Sequence, residues 1–179
     1  MRKRPGEKVW RPPLSQVRMR VRHPIRVVLN NVRSLFNVGS MFRTSDGAHI
    51  DKIYLCGITG CPPDDEIEKT ALGATLSVFW EYHPDACKLV TQLRDAGWTI
   101  VALERTYESI PYTEISYSSF PVCLIVGNEV YGVDDELLEL CHIAVEIPQY
   151  GWKQSLNVAV AYGIVVYHFV HVFRMHACK

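Results

Sequence analysis

Three loops of this sequence carry side chains of the types that orient a substrate and stabilise developing charge. The first loop contains Asn37 and Arg43, the second contains Glu129, and the third contains Ser155 and Asn157. Two amides, a hydroxyl, a guanidinium and one carboxylate provide hydrogen bonds and fixed charge around a reacting oxygen. We therefore examine these loops as candidates for group-transfer chemistry.

The first loop leaves two interpretations open. Gly39, Arg43 and Gly47 stand at intervals of four, so they share one helix face that a backbone or ligand can approach closely. On a continuous helix Asn37 lies about 240° from Arg43, so the two side chains converge only if Asn37 precedes the helix. A capping Asn and a surface Arg explain the spacing equally well.

The second and third loops are also ambiguous when taken alone. Gly127 and Gly132 bracket Glu129 after a buried run, a pattern that matches neither the dinucleotide nor the phosphate-loop glycine motif. It predicts a tight turn that presents main-chain donors and one carboxylate, or simply an exposed glutamate. In the third loop, Ser155 or Gln154 is predicted to cap a long helix, with Asn157 in its first turn.

Other chemistry is less well supported by the sequence. The six cysteines are irregularly spaced, with no CxxC, which predicts reduced thiols and a cytoplasmic protein without a bound metal. Cys141 and His142 are adjacent, so on a strand they point to opposite faces and do not form a nucleophile and base pair. His168 and His171 are one helical turn apart but have no evident third metal ligand.

The elements that must position these loops alternate between strand and helix, which predicts an α/β fold with a mostly parallel sheet and helices on both faces. The predicted strands cover residues 25–29, 53–56, 77–80, 99–103, 122–126 and 144–147. The predicted helices cover residues 38–48, 86–95, 134–140 and 156–173, with a short turn at 68–72. The loops that follow parallel strands meet at one edge of the sheet, where ligands bind.

Composition places the chain among ordinary globular domains. It has 179 residues, of which 48% are hydrophobic and 21% charged, so it needs neither disulfides nor a metal to build a core. The longest apolar run, residues 158–167, is too short to span a bilayer and is predicted to be a buried helix. No apolar segment follows the basic start, so neither export nor membrane insertion is predicted.

Charge is unevenly distributed along the chain. Residues 1–26 carry nine basic residues and one acid, whereas the remainder carries ten basic and eighteen acidic residues. Clustered Lys and Arg gain from the release of counterions when they contact phosphate, so the arm predicts a polyanionic partner. The alternative is a solvated tail. The predicted organisation is a basic extension over residues 1–24 and a single domain over residues 25–179.

Taken together, the three loops resemble the three motifs of the SpoU (TrmH-like) branch of the SPOUT methyltransferases. The resemblance covers residues 25–173 and includes KTALGA at residues 69–74 and LERT at residues 103–106. It implies transfer of a methyl group from S-adenosylmethionine to a ribose 2′-hydroxyl of RNA. It also implies a C-terminal trefoil knot and a homodimer with the site near the subunit interface.

The resemblance assigns residues to roles. Those implied in catalysis and substrate placement are Asn37, Arg43, Glu129, Ser155 and Asn157. Those implied around the methyl donor are Leu103, Thr106, Gly127, Asn128, Gly132, Ile147, Pro148 and Leu156. We add a predicted RNA-contact set from the basic residues: Arg18, Arg20, Arg22, Arg33 and Lys153. The sequence departs from the usual motifs at Tyr131–Val133 and at Tyr150–Lys153, which concerns the RNA entrance.

Chemistry limits what these residues do in the implied reaction. Arg43 is a poor base because a guanidinium stays protonated, so its predicted role is to hold a phosphate and stabilise the oxyanion. A neighbouring phosphate or water then takes the proton. The short arm favours transfer RNA over ribosomal RNA as the substrate. Two alternatives remain, an inactive RNA-binding module of the same fold and a small-molecule enzyme on a doubly wound sheet.

Overall fold

The computed structural model describes residues 12–177. Within that range, seven strands form one sheet in the order β3-β2-β1-β6-β4-β7-β5, and every neighbouring pair is parallel. The strands are β1 His23–Asn30, β2 Ile50–Cys56, β3 Trp80–His83, β4 Thr99–Leu103, β5 Ile110–Pro111, β6 Val122–Val126 and β7 Ile143–Glu146. The helices are α1 Leu14–Met19, α2 Leu35–Ala48, α3 Asp65–Ala71, α4 Ala86–Asp95, α5 Asp135–Leu138 and α6 Val158–Ala177.

Helices cover both faces of this sheet, as the sequence predicts. Val27 and Leu29 pack in one core with α2, α3 and α6, whereas Val28 points to the opposite core with α4 and α5. Because successive side chains of a strand point to opposite faces, burial on both faces requires strands that are apolar without interruption. This explains why β6, with the sequence VCLIV, is buried at all five positions. The α/β prediction is confirmed.

Several predicted boundaries are wrong. The third strand is β3 at residues 80–83 rather than 77–80, because a 3-10 turn over residues 74–76 precedes it. Helix α2 begins at Leu35 rather than Val38, because the hydroxyl of Ser34 accepts the Asn37 N–H and caps the helix. The sequence reading also misses α1 and the two-residue strand β5.

Helix α6 has 20 residues, twice the length of the apolar run on which the prediction rests. Of the described helices, it is the one that is long and apolar enough by composition to cross a membrane, with a mean hydropathy of 1.5. Its buried side chains, including Tyr162 and Phe169, pack in the core that α2 shares with the sheet. The Tyr162 and Ser45 hydroxyls join α6 to α2 at 2.6 Å.

Strand β7 lies between β4 and β5, although these two strands are joined by only residues 104–109. This link crosses the end of β7: the Glu104 N–H donates to the Val145 carbonyl at 3.1 Å, and the Ser109 hydroxyl donates to Glu146 at 2.9 Å. The crossing brings the loops after β4, β6 and β7 together at the carboxyl edge. The trefoil knot itself stays a prediction.

Candidate functional site

Glu129, in the loop after β6, is the acceptor around which the candidate site is built. Its carboxylate accepts the main-chain N–H groups of Arg33 and Ser34 at 2.9 and 3.0 Å, just before α2 begins. It also accepts the side-chain amide of Asn37, in the first turn of α2, at 2.9 Å. Because β1 and β6 are parallel neighbours, the loop after β6 lies beside the start of α2. The carboxylate fixes one loop to the other.

These hydrogen bonds also determine the charge state of Glu129. Partial burial acts to raise the pKa of Glu129, but the N–H groups of Arg33 and Ser34 and the amide of Asn37 favour the ionised form. The balance leaves the pKa of Glu129 below its usual value. Glu129 is therefore a carboxylate at neutral pH, and its oxygens are engaged by three donors.

Asn157 extends this arrangement to α6. Its side-chain amide donates to Oδ1 of Asn37 at 3.1 Å, while its own Oδ1 accepts the N–H groups of Ala159 and Val160. Asn157 thus caps α6, and the prediction that Ser155 or Gln154 does so is wrong. Glu129, Asn37 and Asn157 form one continuous chain of hydrogen bonds, which we call the site network.

A cavity of about 340 Å³ opens beside the site network, at the carboxyl ends of β4, β6 and β7. Glu129, Ser155 and Asn157 line it. Of the residues predicted around a methyl donor, six line it as well: Leu103, Gly127, Asn128, Gly132, Ile147 and Leu156. The other two, Thr106 and Pro148, are not among its lining residues, and Thr106 instead hydrogen-bonds within the turn to Ser109.

The cavity wall after β6 requires glycine at two positions. A Cβ on Gly127 would lie 2.2 Å from the main chain of Gly132, so the loop folds back directly onto the end of the strand. Gly132 has a positive φ of 74°, and a Cβ there would meet Glu104 at 2.2 Å. Position 127 therefore requires glycine because the main chain of the same loop packs against it. Gly127 also lines the cavity.

Glu104 is a residue that the sequence reading does not assign. Its carboxylate accepts the N–H of Val133 at 3.0 Å and that of Arg105 at 2.9 Å, and it lines the cavity. The loop after β4 is thereby attached to the loop after β6. The signal is a glutamate that follows a buried strand, directly after β4 for Glu104 and in the loop after β6 for Glu129.

Arg43 is not part of the site network. Because α2 already includes Asn37, the two residues lie six positions apart on one continuous helix, about 240° around its axis. The Arg43 side chain is exposed, makes no hydrogen bond to another residue in the range 12–177, and does not line the cavity. The alternative in which Asn37 lies outside the helix is thus wrong.

The residues predicted to contact RNA fall into two groups. The Arg18 guanidinium donates to the Leu76 carbonyl, at 2.6 Å for its shorter bond, and Arg22 donates to the carbonyls of Ile50 and Ser77. These bonds attach the segment before β1 to the body. Arg20, Arg33 and Lys153 are exposed, and the Lys153 ammonium lies 4.9 Å from the centre of the Trp152 ring. The most N-terminal basic residues, at positions 1–11, lie outside the described residues.

The cysteines and histidines are engaged separately from this site. Cys141 donates to the Leu137 carbonyl at 3.1 Å, whereas His142 accepts the Ile100 N–H at 2.9 Å. Five cysteines in the described range are free thiols, and Cys178 lies outside it. Residues 12–177 contain no group of three His, Cys, Asp or Glu side chains arranged to hold a metal ion.

Comparison with known proteins gives consistent matches. A profile of the SpoU rRNA Methylase family matches residues 24–167. The tRNA (guanosine(18)-2'-O)-methyltransferase of Aquifex aeolicus is 33% identical over 141 residues, which cover 79% of this chain and 66% of that protein.

Two solved structures share the fold. The A. aeolicus TrmH/SpoU tRNA modifying enzyme superposes with a TM-score of 0.82 at 29% identity, covering 92% of this chain and 82% of that one. The AdoMet-bound rRNA methyltransferase from Sinorhizobium meliloti gives a TM-score of 0.76 at 31% identity, covering 88% of this chain and 59% of that one. The chain therefore spans less than two thirds of the second protein.

Proposed function

The chain belongs to the SpoU methylase family, and from that premise we propose that it transfers a methyl group from S-adenosylmethionine to a ribose 2′-hydroxyl of structured RNA. The observation that carries the proposal is the site network, because it places neutral hydrogen-bonding groups at a cavity of the size that small ligands occupy. An inactive RNA-binding module would have no use for this combination.

The cavity fits the methyl donor. Leu103, Ile147 and Leu156 supply apolar surface for a flat base, and the glycine-dependent loop 127–132 brings main-chain groups to the cavity wall. S-adenosylmethionine bound there supplies a methyl group on a positively charged sulfur, which makes the leaving group a neutral thioether.

The network leaves free hydrogen-bonding capacity that suits a ribose. Asn37 and Asn157 each use one amide proton within the network and keep a second, and the Ser155 hydroxyl makes no bond to a described residue. These groups orient the 2′-hydroxyl for in-line attack. Glu129 holds Asn37 and the loop before α2, and its carboxylate already accepts three hydrogen bonds, so we assign it a positioning role. The proton is assigned to a neighbouring phosphate or water.

Arg43 enters this proposal through a second copy of the chain. It lies on an exposed strip of α2 that adjoins the exposed face of α6, since a Cβ on Gly47 would lie 2.6 Å from the Tyr167 hydroxyl. That face of α6 is apolar, with Val160 52% and Tyr167 51% exposed. We propose that two copies pack along this strip, and that Arg43 of each holds a phosphate and the developing oxyanion at the other's site.

Transfer RNA is the proposed substrate. The A. aeolicus relative is named for tRNA and superposes over a larger share of its length than the S. meliloti rRNA enzyme. A cytoplasmic location, a metal-free reaction and the division into an extension of residues 1–24 and one catalytic domain belong to the same proposal.

The proposal is tested by incubating the full chain and S-adenosylmethionine with bulk tRNA or with bulk rRNA. The 2′-O-methyl sites are then mapped by mass spectrometry. We expect methylation of tRNA. Donor binding without transfer to either RNA would favour the inactive module. No donor binding would contradict the assignment of the cavity.

The shared site is tested by mixing two inactive variants. Arg43→Ala and Asn37→Ala should each lower the rate by about 10²-fold or more while Arg43→Ala keeps its affinity for the donor. After exchange of subunits, an equal mixture should recover about a quarter of wild-type activity, because half the dimers then have one intact site. A mixture as inactive as its components would place Arg43 in its own subunit's site.

A further inference from the structure

A second groove lies at the opposite edge of the sheet from the site network. Its volume is about 380 Å³, and its walls are Arg18, Arg20, Arg22, His23, Pro24, Asp51, Phe79 and Trp98. These residues stand at or just before the amino ends of β1, β2, β3 and β4. With eight residues in β1 at about 3.3 Å each, the groove is roughly 25 Å from the site network.

Two of the three arginines of this groove are held in place, and none of the three forms an ion pair with a described acid. Arg18 and Arg22 donate to carbonyl oxygens, which are neutral, and neither has a carboxylate within 4.0 Å among residues 12–177. The Arg20 side chain is exposed and makes no hydrogen bond within the same range. The carboxylate of the groove, Asp51, is already paired with Arg26 at 2.6 Å. The groove therefore presents three guanidinium groups with no paired acid.

Two aromatic rings line the same groove. Phe79 is 39% exposed, and the Arg22 guanidinium lies 4.3 Å from its centre. Trp98 is partly buried, and the Arg26 guanidinium lies 4.2 Å from its centre. Cations beside exposed aromatic rings are the combination that binds single-stranded nucleic acid, in which phosphates meet the charge and bases stack on the rings.

We propose that this groove is a second RNA site, which binds a phosphodiester at Arg18, Arg20 and Arg22 and an unstacked base against Phe79 or Trp98. The inference rests on the proposed function for the identity of the polyanion as RNA. Its distance from the site network means that it holds a different part of the RNA from the methylated ribose. It contributes affinity and orientation rather than chemistry.

The first experiment measures binding of bulk tRNA and of a labelled hexauridylate by fluorescence anisotropy, using the full chain at fixed salt. Arg20→Glu tests the groove because this side chain makes no hydrogen bond to a described residue. Lys88→Glu is the matched control, since Lys88 is an exposed cation on α4 that lines neither cavity. We expect Arg20→Glu to weaken both affinities at least tenfold and Lys88→Glu to change them less than twofold.

Equal affinities for Arg20→Glu and wild type would overturn the proposal. Equal losses in both variants would also overturn it, because they would show an effect of net charge alone. Calorimetry with S-adenosylmethionine separates this result from the proposed function. If the chain binds RNA through Arg20 but neither binds S-adenosylmethionine nor methylates RNA, the second RNA site stands and the proposed methyltransferase activity is wrong.

The second experiment tests the base. Phe79→Leu keeps an apolar side chain but removes the ring, so hexauridylate should bind about tenfold more weakly. An abasic oligomer of the same length should bind wild type and Phe79→Leu equally. If Phe79→Leu leaves hexauridylate binding unchanged and wild type binds the abasic oligomer as tightly as hexauridylate, the stacking part of the proposal is wrong.

Discussion

Single carboxylates connect the loops of this protein at the carboxyl edge of the sheet. Glu129 binds the main chain ahead of α2, and Glu104 binds the main chain of Val133. In both cases a carboxylate accepts two backbone N–H groups, so one side chain fixes the path of another loop. Glu129 also holds Asn37, the partner of Asn157 at the cavity, and need take no part in the proposed reaction.

The low pKa of Glu129 predicts a specific dependence of stability on pH. Ionised Glu129 stabilises the fold above its usual pKa, 4.5, and this contribution is lost as pH falls through the lower pKa of the folded state. Glu129→Gln should therefore lower the melting temperature most at neutral pH, and its difference from wild type should shrink below about pH 4.5. Thermal melts from pH 7 to pH 3 measure this, and a constant difference would contradict the role of charge.

Gly127 gives a second prediction at this scale. Because a Cβ there meets the main chain of Gly132, Gly127→Ala should destabilise the fold by roughly 1–3 kcal/mol and weaken donor binding. Gly151→Ala is the control, since a Cβ on Gly151 has no neighbour within 4 Å. Denaturant unfolding and calorimetry provide the two measurements. Equal stability of the two variants would mean that the loop relaxes freely.

At the scale of elements, the first turns of α2 and α6 bring the site together. Helix α2 follows the loop after β1 and helix α6 follows the longer loop after β7, and each has an asparagine at its start. Asn157 has two functions, because one atom of its amide caps α6 and the other donates to Asn37. The start of α6 and the proposed placement of the substrate thus depend on the same side chain.

Two substitutions separate these functions. Asn157→Ala should lose the cap, about 1 kcal/mol of unfolding free energy, together with methyl transfer. Asn157→Asp keeps an acceptor for the helix N–H groups but has no proton for Asn37, so it should keep its stability and lose roughly tenfold to hundredfold in rate. Denaturant unfolding and initial rates test the pair. An active Asn157→Asp would make the bond to Asn37 dispensable.

The edge of the sheet where the site forms could be predicted from the sequence, but the hydrogen bonds between its loops could not. Apolar runs such as Val122–Val126 predict buried parallel strands, and parallel strands bring their following loops to one edge, so the meeting of the three loops follows from the pattern. The choice of Asn37, Glu129 and Asn157 within those loops is what the family resemblance implies. The bonds from Glu129 to the loop before α2 and from Glu104 to Val133 are not predictable, because these main-chain partners are far away in sequence. Likewise, the sequence does not show that Arg18 and Arg22 bond to the body of the domain. The carbonyl oxygens that accept from them are brought close only by the fold.

At the scale of the whole molecule, α6 leaves one face without a partner in the described chain. Val160, Ile164 and Tyr167 share this face at helical spacing, opposite the side that Tyr162 and Phe169 bury in the core. A second copy covering it would remove apolar surface from water on both subunits at once.

Charge on this face should separate the two copies. Ile164→Glu places an unpaired carboxylate in the proposed interface, so sedimentation at micromolar concentration should shift from two copies to one, with loss of methyl transfer. Gln92→Glu makes the same change in charge at an exposed position on α4 and should remain a dimer. A wild-type chain that sediments as a monomer would contradict the proposed shared site.

The position of β7 between β4 and β5 affects the order in which the protein is made. Because β4, β5 and β6 are synthesised before β7, the position between β4 and β5 is empty in a nascent chain. Strand β7 therefore pairs with its neighbours late. The cavity wall from residues 145 to 161 forms only with that strand. A chain that has not yet inserted β7 therefore lacks this wall of the cavity in which we propose that the methyl donor binds, so methyl transfer has to await the pairing of that strand.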